Sequence, residues 1–351
     1  MISIVHMCGH YFKNVADQYI SESVHKVFER KMGAINWLNY DIRKLCSELD
    51  IRGFNDYDAI VIGGGGFILP SSFLSKPETG WVIGIPLDLI KQIEVPIIGF
   101  SVGCNLFRGE ALDSPIFVEN FNALLERSPF FSLRHNGDIA KMKAYVGTDY
   151  DIKLNFCSSL FGREYKEITG NTIAFQLAWD RIENRFGSVE NASVFVEHIE
   201  WLISYFAKEG CNVAIVSHTN SDVDANLAIW EKLRQKRVCC EFVDLTGEDP
   251  DVLVNFYYGV KTIFTMRGHG QMIPMGLGSN VVSLISHDKM QYLLEDLGIT
   301  RTGVEVNDEN FIGKCLDAYA ESSNTDFGSK LKIAKQNIDN NMEAINEIIC
   351  K

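Results

Sequence analysis

Short apolar runs rich in β-branched residues alternate along the whole chain with segments whose apolar residues recur at helical spacing. This is the pattern of parallel strands covered by helices on both faces, so the expected class is α/β. The strands are predicted at 2–7, 58–62, 96–100 and 130–133, and the pattern then begins again with 173–177, 213–216, 241–243, 262–265 and 281–285. Residues 151–170, which carry several charges with Gly162 and Gly170, separate the two series. Two Rossmann-like domains are therefore expected, 1–165 and 166–351, facing a cleft; a chain of 351 residues is longer than a single core usually grows. Leu331, Ala334, Ile338, Met342, Ile345 and Ile349 fall at helical spacing and predict one amphipathic C-terminal helix, assigned to the second domain.

Composition narrows the function classes. A net charge of −13 argues against a protein that chiefly grips a phosphate backbone, so no nucleic-acid partner is expected. The nine cysteines lack paired CxxC spacing and read as reduced thiols, which fits the cytoplasm. The opening MISIVHMCGH lacks the basic region and apolar core of a secretory signal, and no apolar run approaches the roughly 20 residues that span a bilayer. A soluble protein is expected, and peripheral association with a membrane stays compatible with it.

Candidate chemistry sits where predicted strands end. Gly63, Gly64, Gly65 and Gly66 follow an apolar strand, where bare backbone can approach an anion or a sugar; a tight turn without ligand is the plainer reading. Ile68 occupies the third glycine position of a GxGxxG pattern and no GKS/T loop is present, which disfavours NAD and ATP. The segment PIIGFSVGCN brings Ser101, Gly103 and Asn105 to the same sheet edge. The sharpest feature is Arg267-Gly268-His269, a cation and an imidazole at one strand end, suited to an acidic substrate. The same pair could instead satisfy a neighbouring carboxylate. Arg134 ends another strand, Asn14 reads first as a helix cap, and Asp17 follows it. Asp180, Arg181 and Arg185 read as a solvated loop rather than cleft lining. His6, Cys8 and His10 share one strand face and read as packing; no metal constellation emerges.

Two successive open α/β sheets resemble the GT-B architecture of many sugar-transferring enzymes. More specifically, the chain resembles the polysaccharide pyruvyltransferase family. The elements that carry the resemblance, in order, are Asn14-x-x-Asp17, the strand and glycine run 58–66, PIIGFSVG, the strand end at Arg134, and Arg267-x-His269 with a small-residue helix and a segment 283–289 ending in Lys289. Ala16 stands where family members usually carry glycine, and LNFCSSL replaces an acidic, proline-rich strand end. The resemblance implies transfer of the pyruvyl group of phosphoenolpyruvate onto a sugar of a surface polysaccharide or its lipid-linked precursor, as a ketal. No cofactor beyond that donor substrate is implied. The donor would be held by the second domain and the acceptor by the first. His269 and Asp17 would serve as acid and base, and Arg134, Arg267, Gly64, Gly65, Ser101, Asn14 and Lys289 as binding residues. The alternatives are a glycosyltransferase with a nucleotide-sugar donor, its diphosphate on Arg267 and the helix after it, or a non-catalytic relative in polysaccharide assembly. A homo-oligomer is compatible with all three.

Overall fold

The computed structural model describes residues 1–10, 14–69, 76–112 and 114–351. They form two compact α/β units, each built on one six-stranded, wholly parallel sheet. The first sheet contains β1 (Ile2–Cys8), β2 (Ile35–Asp41), β3 (Ala59–Ile68), β4 (Ile97–Cys104), β5 (Phe130–Leu133) and β6 (Ile152–Leu154), in the order β2-β1-β3-β4-β5-β6. Its helices are α1 (Val15–Met32), α2 (Glu48–Phe54), α3 (Leu87–Ile90), α4 (Pro115–Arg127) and α5 (Asn136–Val146). The second sheet runs β12-β11-β10-β7-β8-β9, from β7 (Thr172–Gln176), β8 (Asn212–Ser217), β9 (Glu241–Asp244), β10 (Val260–Thr265), β11 (Asn280–Ile285) and β12 (Gly303–Glu305). It carries α6 (Ile182–Phe186), α7 (Val189–Lys208), α8 (Asn220–Gln235), α9 (Pro250–Tyr257), α10 (Gly268–Leu277), α11 (Asp288–Leu297) and α12 (Phe311–Asn324), and α13 (Phe327–Ile349) closes the chain.

Strands of a parallel sheet are covered on both faces and therefore read as continuous apolar runs. Each central strand matches such a run. The three strands without a prediction, β2, β6 and β12, all lie at sheet edges; β6 and β12 are three residues long, and β2 alternates apolar with polar residues. Burial of Val5, Ile60, Ile62, Trp81, Phe117 and Phe121 organises the first core, and the second is built around Phe175, Phe206 and Phe264. There the Phe175 and Phe264 rings stack with centroids 4.8 Å apart.

Two expectations change. The last helix is not wholly part of the second unit: Arg163–Lys332 belong there with residues 14–16, whereas Ile333–Lys351 join the first unit. The reason lies in two asparagines. Asn337 and Asn341 of α13 donate to the Leu154 carbonyl, and Asn337 also accepts from the Phe156 amide, so the helix satisfies backbone groups at and just beyond the end of the edge strand β6. The glycine run is likewise not a loop. Gly63–Gly66 continue β3, and their partners Phe100 and Val102 lie in β4.

Each sheet has one place where consecutive connections depart in opposite directions, between β1 and β3 in the first and between β7 and β10 in the second. At such a switch point the loops beyond the carboxyl ends of two neighbouring strands diverge and leave a crevice, where ligands of doubly wound folds bind.

Candidate functional site

The second unit places its charged residues at that switch point. Leaving β7, the chain passes through Trp179 and Asp180 into α6; leaving β10, it passes through Arg267 into α10; leaving β8, through His218 into α8. Arg267 is the hub. Its Nε donates to Asp222 Oδ2 at 2.7 Å, and its Nη2 donates at 2.6 Å to both Asp222 Oδ1 and Asp180 Oδ1. Asp180 is shared with Arg185, whose Nη2 lies 3.1 Å from both carboxylate oxygens and whose Nε donates to the Asp180 carbonyl. Arg185 also donates to Ser286 just beyond β11. Four strand ends are thus tied by two arginines and two aspartates.

Burial makes these ion pairs matter. Asp222 has a fully buried side chain, and the Trp179 amide donates to it as well. Desolvation alone would raise the Asp180 carboxyl, but Arg267 and Arg185, with Lys289 adding to them, hold it well below the usual carboxylate range. Desolvation likewise opposes the Arg267 charge, and Asp222 and Asp180 overcome it. The plainer reading of Arg267, satisfaction of a neighbouring carboxylate, therefore holds, and a solvated loop at Asp180 and Arg185 does not: Arg185 is only 5% exposed.

The remaining predicted residues of this unit surround the hub. Gly268 and His269 open α10, which has no side-chain cap among the described residues, so its first turn presents backbone amides and the positive end of the helix dipole. His269 is half-buried there. A Cβ on Gly268 would come no closer than 3.5 Å to Met272 and 3.7 Å to Lys289, so the Lys289 stem lies alongside the helix start. Lys289 belongs to the first turn of α11 rather than to a strand end. Beneath α10, Thr265 Oγ1 donates to Gln176 Oε1, and a Cβ on Gly270 would fall 2.5 Å from both oxygens. That contact requires glycine. Beside Arg267, His218 shares a 2.6 Å hydrogen bond with Tyr257; burial, reinforced by Arg267, pushes its pKa down to about 3, so it is neutral. His218 Nδ1 and Gln176 Nε2 have no hydrogen-bond partner among the described residues. Asp222, His218, Tyr257 and Gln176 escape sequence reasoning because each is a single polar residue without a motif; for Gln176, His218 and Asp222 the available signal was position, directly at a strand end or in the helix turn after it.

In the first unit the predicted residues are mostly structural. Gly63 is required because a Cβ there would sit 2.0 Å from the Phe100 carbonyl oxygen. Gly64 adopts φ +74°, with its open side against Ile20 and Val24 of α1, and Gly65 lies under the Phe67 ring. Ser101 is fully buried in an irregular stretch of β4 at φ +53°; its amide donates to Ser132, its hydroxyl donates to the Phe156 carbonyl and accepts from Asn155. The Ser101 hydrogen-bonding groups are satisfied within the unit, and Gly64 and Gly65 lie against side chains. Arg134 is 1% exposed, its guanidinium lying where a Cβ on Gly103 would be, 2.4 Å from Cζ. Asn14, which groups with the second unit, caps α1, accepting from the Ala16 amide at 3.0 Å. Asp17, half-buried, sits in the first turn of α1 close enough to Arg43 to stabilise that charge. His6 and Cys8 are fully buried, the former bonded to His25. Among the described residues no group of three or more His, Cys, Asp or Glu is placed to hold a metal ion, and no helix is long and apolar enough to cross a membrane.

No family model and no curated protein matches the chain. Solved structures do. The structure of S. aureus MnaA with UDP is 12% identical, covering 100% of this chain and 98% of that one, with a TM-score of 0.61. A putative UDP-N-acetylglucosamine 2-epimerase from Listeria monocytogenes is 13% identical over 98% and 96% of the two chains, TM-score 0.58. A glycosyltransferase from Rickettsia africae is 13% identical over 99% and 98%, TM-score 0.53. At such identities the likeness establishes the fold: a two-domain α/β chain of the GT-B type.

Proposed function

We propose that the protein is a sugar-handling transferase whose second unit binds a nucleotide-sugar donor, the diphosphate lying at the first turn of α10 beside Lys289 and Arg267. One observation carries this reading. The uncapped start of α10, with glycine at 268, stands at the switch point of a sheet whose surrounding strand ends and first helical turns supply Arg267, His269 and Lys289. An anion there gains backbone donors, a helix dipole and a lysine charge. Arg267 acts less as a free hand than as a fixed charge, its guanidinium oriented by Asp222. His269, half-buried one residue into the helix, is suited to stabilise charge on the leaving phosphate. UDP in the MnaA structure and the glycosyltransferase from Rickettsia africae support the donor class by likeness of fold. A sugar hydroxyl is the acceptor.

A second reading keeps phosphoenolpyruvate as donor and a pyruvyl ketal as product. It is favoured by Arg267-Gly268-His269 leading into a small-residue helix and, after β11, Lys289. Against it stands one geometric fact: Arg134, which that reading uses to hold the donor, is buried under Gly103 and Gly66. Thermal stabilisation separates the readings, because a ligand that binds only the folded state raises its Tm. UDP-sugars are expected to raise Tm in the wild type and not in Lys289→Ala. A response to phosphoenolpyruvate alone would select the second reading, and no response to either would remove both.

A further inference from the structure

We infer that Asp180 is an internal stand-in for the donor's phosphate: it occupies Arg267 in the empty site and is displaced when a diphosphate binds. This rests on the donor reading above and adds a regulatory element to the same site. The two carboxylates on Arg267 are not equivalent. Asp222 grips it through both oxygens and its side chain is 0% exposed, so it is the permanent partner. Asp180 touches Arg267 through one oxygen, and its side chain is 32% exposed, so it is the one that solvent or a ligand can reach. Arg185, held by Ser286 and the Asp180 carbonyl, stays in place whichever way the Asp180 carboxylate turns.

The backbone supports a turn poised to move. Arg181, directly after Asp180, adopts φ +57°, ψ 52°, a left-handed conformation that is unfavourable for a residue with a side chain. The strained residue adjoins the more accessible of the two carboxylates on Arg267, at the switch point, where strain is commonly held for function. With Asp180 in place, Arg267 and Arg185 face two negative charges. With Asp180 turned out they face one, and the positive field of Lys289 that now falls on Asp180 falls on the incoming phosphate. Diphosphate then satisfies the arginine that Asp180 releases. The latch keeps the arginines ordered and neutralised in the empty site and makes weakly charged ligands poor competitors.

Isothermal titration with inorganic pyrophosphate tests this on the full chain. Asp180→Asn is expected to bind pyrophosphate at least tenfold tighter than wild type, about 1.4 kcal/mol, whereas Glu309→Gln, an exposed acid of the same unit, changes affinity less than twofold. Equal or weaker binding by Asp180→Asn, or an equal gain in the control, overturns the latch. Should Asp180→Asn fold poorly, a crystal structure of the wild type with pyrophosphate decides: Asp180 Oδ1 is expected to leave Arg267 Nη2, and retention of that pair overturns the proposal. The donor reading fails separately. If Asp180→Asn gains for pyrophosphate while UDP binds no tighter than pyrophosphate, the latch stands and the nucleotide donor falls.

Discussion

The carboxyl edges of the two sheets were equally rich in candidate residues, and the structure uses them in opposite ways. In the first unit, glycines and a serine sit deep in β3 and β4, where Gly63 lets backbone approach backbone and Gly64 and Gly65 make room for side chains; its buried arginine, Arg134, covers Gly103 rather than solvent. In the second unit the glycines at 268 and 270 begin a helix, and Arg267, His269 and Lys289 are all partly accessible. Small residues after a strand signal close approach, of which a ligand is only one cause. Charges that stay half-exposed at a switch point, each held by a specific partner, are the stronger sign of a site.

The largest test of this contrast is a pair of glycine substitutions. Gly63→Ala is expected to lose about 3 kcal/mol of stability or more, because its methyl would lie 2.0 Å from the Phe100 carbonyl oxygen and backbone must shift. Gly268→Ala, whose methyl would meet Met272 at 3.5 Å and the Lys289 stem at 3.7 Å, ordinary contact distances, should unfold within about 0.5 kcal/mol of wild type in urea, yet weaken donor binding. A benign Gly63→Ala would break the comparison from the first side. Next in size, Arg267→Ala should cost about 3 kcal/mol, since it strands the buried Asp222 carboxylate; denaturation midpoints compared with Lys289→Ala, expected near wild type, measure the difference.

His269→Ala sharpens the second side. Turnover is expected to fall at least tenfold while stability stays within about 0.5 kcal/mol, as for residues away from core features; unchanged turnover removes the histidine from the chemistry. A separate test is pH. His6 in the first unit and His218 in the second are buried and neutral, burial pushing their pKa values from 6.5 to about 4 and about 3. The unfolded chain therefore takes up protons first, so stability is full above pH 6.5 and declines as pH falls toward 4. Urea midpoints on either side of that window should show the loss, and a gain on acidification would contradict the assignment of neutral imidazoles.

Much of the fold was legible because buried parallel strands write themselves as apolar runs, and every central strand did so. Three of the four edge strands did not. Strand β2 carries Asn36, Asn39 and Asp41 among its apolar residues, and β12 is too short to show a period. The helix at the carboxyl end was legible from its apolar spacing, but its partner was not: Asn337 and Asn341, which bind it to the first unit, look in sequence like surface amides. At the site, Arg267 and His269 were visible as a cation and an imidazole at one strand end, and Lys289 through the family resemblance. Their anionic counterpart was not, because Asp222 comes from a helix 45 residues away in sequence and nothing local marks it as the arginine's partner. Asp180 and Arg185 resembled a charged surface loop for the same reason: a charge run does not reveal which charges face each other.

A crystal structure of the protein with UDP tests the central claim most directly. Density for the diphosphate is expected at the first turn of α10, within hydrogen-bond reach of the Gly268 and His269 amides and beside Lys289. Diphosphate bound elsewhere, with α10 and Arg267 untouched, would contradict the assignment of the second unit's carboxyl edge as the donor site.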